Sequence, residues 1–126
     1  DYRTCIAEAK RDMQQKARPE VLNLPDNLNG YDEIYLGYPN YWGTMPMAVY
    51  TFLEKYDFTG KTIHPFCTHE GSGLSNTERD IQSAASGAKV TRGLRRRVVK
   101  TRAVRRRACR RRMTRLRALP ASLAAS

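Results

Sequence analysis

The charges of this chain fall into two blocks, and that division decides where a fold can form. From Arg95 to Ser126 there are 12 Arg and one Lys with no acidic residue, against 23 Lys+Arg and 12 Asp+Glu in the whole chain. Setting that block aside leaves 10 basic and 12 acidic groups in residues 1–94, so the net charge of +11 describes the carboxyl-terminal part alone. A whole-chain reading as a small basic nucleic-acid binder is thereby excluded. With 40% hydrophobic and 9% aromatic residues, one small domain with a buried core is expected over residues 1–94. Residues 95–126 read as an Arg-rich tail, disordered or an irregular helix. At about 100° per residue, the arginines from Arg95 to Arg117 occupy every face, leaving no apolar stripe to dock on a sheet.

No apolar run approaches the roughly 20 residues needed to span a bilayer. The start, Asp1-Tyr2-Arg3, lacks both an initiator Met and a signal-like apolar stretch, and reads as beginning in mid-protein. Cys5, Cys67 and Cys109 form an odd set without a Cys-x-x-Cys spacing. Inert thiols in a cytoplasmic protein are the expectation.

Tyr2, Ile6, Ala9 and Met13 recur at i, i+4, i+7 and i+11, which predicts a short amphipathic helix closed before Arg18-Pro19. A turn-rich linker follows to Gly30. Glu33–Pro39 is short, aliphatic and aromatic, and reads as a strand buried on both faces of a parallel sheet. Pro46 suits the first residue of a helix, whose apolar face would be Val49, Phe52, Leu53 and Tyr56. Lys61–Thr68 gives a second strand. Ser75 and Glu78 have capping-box spacing ahead of a second such helix with Ile81, Ala84 and Ala85, and Ala88 to Leu94 reads as a further strand. This order argues for an α/β layered sheet with right-handed crossovers, whose ligands sit beyond the carboxyl ends of the strands.

Two loops occupy that position. In residues 40–45, Tyr41 and Trp42 beside Gly43 offer flat faces to a planar heterocycle, or else cover the end of the core. In residues 68–73, Gly71, Ser72 and Gly73 precede a helix start, where backbone N–H groups suit an anion or a carbonyl, or form an ordinary tight turn. Sharper chemistries fail on their own requirements. Cys67, His69 and Glu70 have no second ligand pair at metal-site spacing, so no metal is expected. Ser72 is flanked at two residues' distance by Glu70 and Leu74, not by the glycines of a nucleophile elbow. Cys67 and His69 lack an orienting third group, and no catalytic residue is assigned.

Tyr31-Asp32-Glu33-Ile34-Tyr35-Leu36-Gly37-Tyr38-Pro39-Asn40-Tyr41-Trp42-Gly43-Thr44-Met45-Pro46, then Thr51-Phe52-Leu53-Glu54, Phe58-Thr59-Gly60-Lys61-Thr62 and Pro65-Phe66-Cys67-Thr68-His69-Glu70-Gly71-Ser72-Gly73 closely resemble bacterial flavodoxins over roughly residues 1–94. The resemblance implies a flavodoxin-like three-layer α/β fold with a parallel sheet. It also implies noncovalent binding of FMN and transfer of electrons between redox partner proteins, as a carrier more than as an enzyme. Carried over by position, Pro39, Asn40, Tyr41, Trp42, Gly43 and Thr44 would form one flavin-contacting loop, with Trp42 or Tyr41 against the ring. Thr68, His69, Glu70, Gly71, Ser72 and Gly73 would form the other. Such a site carries electrons on its cofactor and needs no proton-transferring triad; the net negative domain would attract a basic partner.

The chain departs from the family pattern at both ends. The family's first strand and its Ser/Thr-rich phosphate loop have no counterpart, so the fold is expected to be incomplete, FMN binding impaired and the Glu33–Pro39 strand left with an exposed apolar edge. After Leu94 the Arg-rich sequence replaces a final amphipathic helix, which reads as a reading-frame shift in a GC-rich gene, to be checked by sequencing the source DNA. Two other functions remain open: a flavin-dependent NAD(P)H or quinone oxidoreductase on the same fold, and nonspecific binding of nucleic acid or an anionic surface through the tail.

Overall fold

The alternation of apolar runs with loops folds into a parallel sheet carrying helices. The computed structural model describes residues 1–98. In chain order the elements are α1 (Tyr2–Gln14), β1 (Glu33–Pro39), α2 (Met47–Lys55), β2 (Thr62–His69), α3 (Thr77–Ala84), β3 (Lys89–Val90) and β4 (Leu94–Arg97). β2 is central. It pairs in parallel with β1 from Glu33↔Thr62 to Pro39↔Thr68, and in parallel with β3 and β4. Between β3 and β4 the Thr91 N–H still reaches the Ile63 carbonyl at 3.0 Å, so the two short pieces act as one interrupted strand.

The core lies between one face of the sheet and the helices α2 and α3. Leu36, Tyr38, Ile63 and Cys67 face Val49, Phe52 and Leu53 of α2, Ile81 of α3 and the loop residues Met45 and Phe58. Phe58 sits edge-on to both Phe52 and Tyr56. The helix α1 buries only Ala9 fully. Its linker is fastened to α2 by Arg18, whose guanidinium donates to both Glu54 oxygens at 2.8 Å. That hydrogen bond lowers the Glu54 pKa. Both side chains remain partly exposed, so the pair adds at most about 1 kcal/mol.

Three sequence expectations are corrected by these contacts. First, β1 is not buried on both faces: Leu36 and Tyr38 are buried, while Glu33, Tyr35 and Gly37 are exposed. The alternation is hidden in the sequence because an aromatic residue and a glycine occupy outward positions. Tyr35 (66% exposed), Phe66 (43%) and Leu94 (72%) lie on the uncovered face, and among the described residues β1 pairs with β2 alone. Second, Ser75 and Glu78 do not form a capping box. Asn76 is the N-cap of α3 without a side-chain cap, Ser75 Oγ donates to the Ser72 carbonyl, and Glu78 instead accepts from the Gly93 N–H. Third, Arg95, Arg96 and Arg97 belong to β4, paired with Cys67, Thr68 and His69, so ordered structure continues past Leu94. The rest of the expected tail, 99–126, lies outside the described residues. No helix among the described residues is long and apolar enough to cross a membrane.

Burial also fixes an alkaline limit. Inside the core the Tyr38 hydroxyl donates to Thr77 Oγ1 at 2.8 Å, and burial pushes its phenol pKa up to about 12. The neutral phenol is the form that the fold favours. This contribution, about 2 to 3 kcal/mol, is complete below the unfolded value near 10 and is lost as pH rises from about 10 through 12. Denaturant melts between pH 8 and 12 should show that loss, and Tyr38→Phe should flatten it.

Candidate functional site

Both candidate loops leave the carboxyl ends of adjacent parallel strands, so the topology places them side by side. Asn40, immediately after β1, joins them. Its Nδ2 donates to the Gly73 carbonyl and to Ser75 Oγ, each at 3.0 Å, and its Oδ1 accepts from the Gly43 N–H at 3.1 Å. The Asn40 N–H donates to the Thr68 carbonyl at 2.7 Å, and the Asn76 N–H to the Gly43 carbonyl at 3.3 Å. Pro39 ends β1 opposite Thr68.

The first loop is a two-residue hairpin. Tyr41 and Thr44 exchange backbone hydrogen bonds at 2.7 and 3.1 Å, with Trp42 (φ 54°) and Gly43 (φ 84°) between them. Positive φ at both central positions defines the tight turn that normally selects Asn-Gly or Gly-Gly. A tryptophan held there costs roughly 1–2 kcal/mol. The indole is nevertheless half exposed and packs outside the core, with Lys10 Nζ of α1 5.3 Å from its ring centre. Thr44 anchors the hairpin by donating to Asp80 of α3 at 2.6 Å, and lies 2.8 Å from the Tyr50 hydroxyl of α2. Burial, with Asp12 and Glu8 nearby, raises the Tyr41 pKa, so its hydroxyl is a neutral donor.

In the second loop Glu70, Gly71 and Ser72 are exposed, Thr68 and His69 half-buried, and Gly73 buried. A side chain added at Gly43 or Gly71 would meet no atom within 4 Å, so both glycines leave open backbone beside the loops. His69 Nδ1 is buried without a hydrogen-bond partner, an unmet polar atom of the kind a bound ligand satisfies. Cys67 is a free, buried thiol whose Sγ lies 3.4 Å from the Thr68 carbonyl and 3.8 Å from that of Gly73. Burial raises its pKa and keeps it a thiol, which removes the Cys67–His69 thiolate pair as a nucleophile. No cluster of metal-ligating side chains occurs among the described residues.

All twelve residues singled out by sequence therefore line one end of the sheet. Sequence reasoning missed Ser75, at φ 51°, the Thr44–Asp80–Tyr50 network, Lys10 against Trp42, and Arg95, which lies over Gly73. Each enters through a partner at least six residues away, so no local spacing announces it.

The family model for flavodoxin matches residues 1–106. The chain belongs to the flavodoxin family. The match runs beyond Leu94, in keeping with β4. Solved structures agree with this flavodoxin fold. A candidate flavoprotein of Bacteroides uniformis ATCC 8492 is 30% identical with a TM-score of 0.66, over 82% of this chain and 67% of its own. A second, from Bacteroides eggerthii DSM 20697, is 26% identical with a TM-score of 0.59, over 80% and 64%. A flavoprotein of Lactobacillus acidophilus NCFM, solved in complex with FMN, is 25% identical with a TM-score of 0.58, over 77% and 64%. The chain thus spans about two thirds of the length of these structures. No curated protein matches it.

Proposed function

We propose that this flavodoxin-family chain binds FMN noncovalently between residues 39–44 and 68–73 and serves as an electron carrier between redox partner proteins in the cytoplasm. The observation that carries the reading is the Asn40 fork, which fastens the two loops together beside a strained, half-exposed tryptophan. The residues fit a planar ligand. Trp42 offers a flat face, Gly43 and Gly71 leave the backbone approachable, and His69 Nδ1 has an unmet hydrogen-bonding atom. The neighbour from Lactobacillus acidophilus, which holds FMN, supports the choice of flavin.

The flavin supplies the electron-accepting chemistry when bound. The chain's own residues position and enclose it: Asn40 sets the spacing of the loops, Trp42 stacks, and Tyr41 shields the edge.

Trp42 is the single tryptophan, so flavin stacked on it should quench the protein's intrinsic fluorescence in a saturable titration. Absence of quenching with riboflavin and FMN alike would defeat the reading. Trp42→Gly separates ligand from fold. Glycine relieves the left-handed backbone, so stability should hold or rise by up to about 1 kcal/mol, while flavin affinity, followed by flavin fluorescence, falls at least tenfold.

A further inference from the structure

The helix α1 meets the Trp42 hairpin and stands outside the main core. Ala9 is its one fully buried residue, and Ala9 does not belong to the cluster of buried residues that the sheet shares with α2 and α3. The linker after α1 is fastened to α2 at two points. The Arg18 guanidinium holds Glu54, and Thr51 Oγ1 donates to the Pro19 carbonyl at 2.9 Å. Neither point fixes what the helix itself faces.

At about 100° per residue, Ile6, Ala9 and Met13 form one face of α1, with Lys10 on one flank and Glu8 and Asp12 on the other. Ala9 is buried and the other two half-buried, whereas Lys10, Glu8 and Asp12 are exposed. Both flanks reach the hairpin. Lys10 Nζ lies 5.3 Å from the Trp42 ring centre, within the range of a cation–π contact. Burial first, then the charges of Asp12 and Glu8, raises the Tyr41 pKa, so the opposite flank acts on the neighbouring residue of the same turn.

Trp42 combines a left-handed backbone, φ 54°, with a half-exposed ring. Among the described residues, Lys10 is the one side chain in electrostatic or ring contact with that indole, and Lys10 forms no ion pair with a described carboxylate. An exposed ring that changes rotamer freely must be ordered when a flat ligand stacks on it, and a ring already held on one face avoids that cost.

We propose that Lys10 is a positioning residue for Trp42: its ammonium holds one face of the indole, so that the opposite face is presented to a planar ligand at the first loop. The proposal rests on the flavin-site reading for the identity of that ligand, but not for the state of the indole in the ligand-free chain.

The test uses the full chain with Lys10→Met, which keeps a flexible apolar stem and removes the charge, and Lys10→Arg, which restores a cation suited to an aromatic face. Arg11→Met removes the same charge from an exposed position of α1 and is the control. Riboflavin is the ligand, because it carries no phosphate for a lysine to attract. Without ligand, Trp42 of Lys10→Met should be about 1.5-fold more sensitive to acrylamide quenching than wild type. Riboflavin affinity, followed by flavin fluorescence, should fall about threefold to fivefold. Lys10→Arg should restore both quantities, and Arg11→Met should change neither. If acrylamide quenching follows this pattern while riboflavin binds none of the chains, Lys10 still positions the indole and the flavin reading falls. Four results would each overturn the proposal: acrylamide quenching unchanged in Lys10→Met, riboflavin bound by that variant as tightly as by wild type or more tightly, no recovery in Lys10→Arg, or an equal effect of Arg11→Met.

Discussion

Replacing Asn40 with leucine is expected to lower flavin affinity by about a hundredfold, while the core of the domain stays folded. Three hydrogen bonds disappear at once, to the Gly73 carbonyl, to Ser75 Oγ and from the Gly43 N–H. At roughly 1 kcal/mol each, their sum exceeds the roughly 2.7 kcal/mol that a hundredfold change represents. The substitution leaves the backbone bond from the Asn40 N–H to the Thr68 carbonyl, so β1 should keep its register on β2. Asn40→Asp is the discriminating companion. It retains an acceptor for the Gly43 N–H, loses the donors to Gly73 and Ser75, and should fall between wild type and leucine in a flavin titration. An Asn40→Leu chain that binds flavin as tightly as wild type would show that the loops need no tether.

The largest loss of stability is expected at Phe58. This ring is 1% exposed and stands edge-on to Phe52 and Tyr56, with centroids 5.7 and 6.4 Å away. Phe58→Ala removes the ring from a layer between α2 and the sheet that has little room to collapse. A cost of about 3–5 kcal/mol follows, out of a total near 5–15 kcal/mol for a domain of this size. The thermal midpoint should drop by about 15 °C or more, and calorimetry or circular dichroism would record it. A shift of only a few degrees would mean that the surrounding side chains close the cavity, as they do where packing is loose.

These two sites mark what could be read in the sequence. Phe58 is legible only as part of a helix-ending turn; the spacing places Phe52 correctly on the buried face of α2, but Tyr56, read as the end of that face, lies just past the helix in extended backbone and packs against Phe58 from there. The helices α1 and α2 and the strands β1 and β2 follow from local periodicity and proline positions, which act over a few residues. The two loops could be located because strand order fixes where a parallel sheet presents its ends. What escaped was decided at long range. Tyr35 looks like a core residue, and only the absence of a second cover over residues 1–98 makes it an outward one. Glu78 has the spacing of a cap, but the Gly93 N–H competes for its carboxylate and wins. Arg95 looks like the first residue of a basic tail, yet the free edge of β2 accepts its backbone into the sheet.

At the proposed site the Asn40 fork would also tie recognition to heat resistance. One amide holds together the end of β1, the bend before α3 and the Trp42 hairpin, so a molecule lodged among them must reinforce the same contacts that unfolding breaks. Occupancy and thermal endurance are then linked by mass action: at a free concentration one hundred times its dissociation constant, a ligand adds about 2.7 kcal/mol to the folded state. A scaffold of such modest size would live longest in the company of its own cargo.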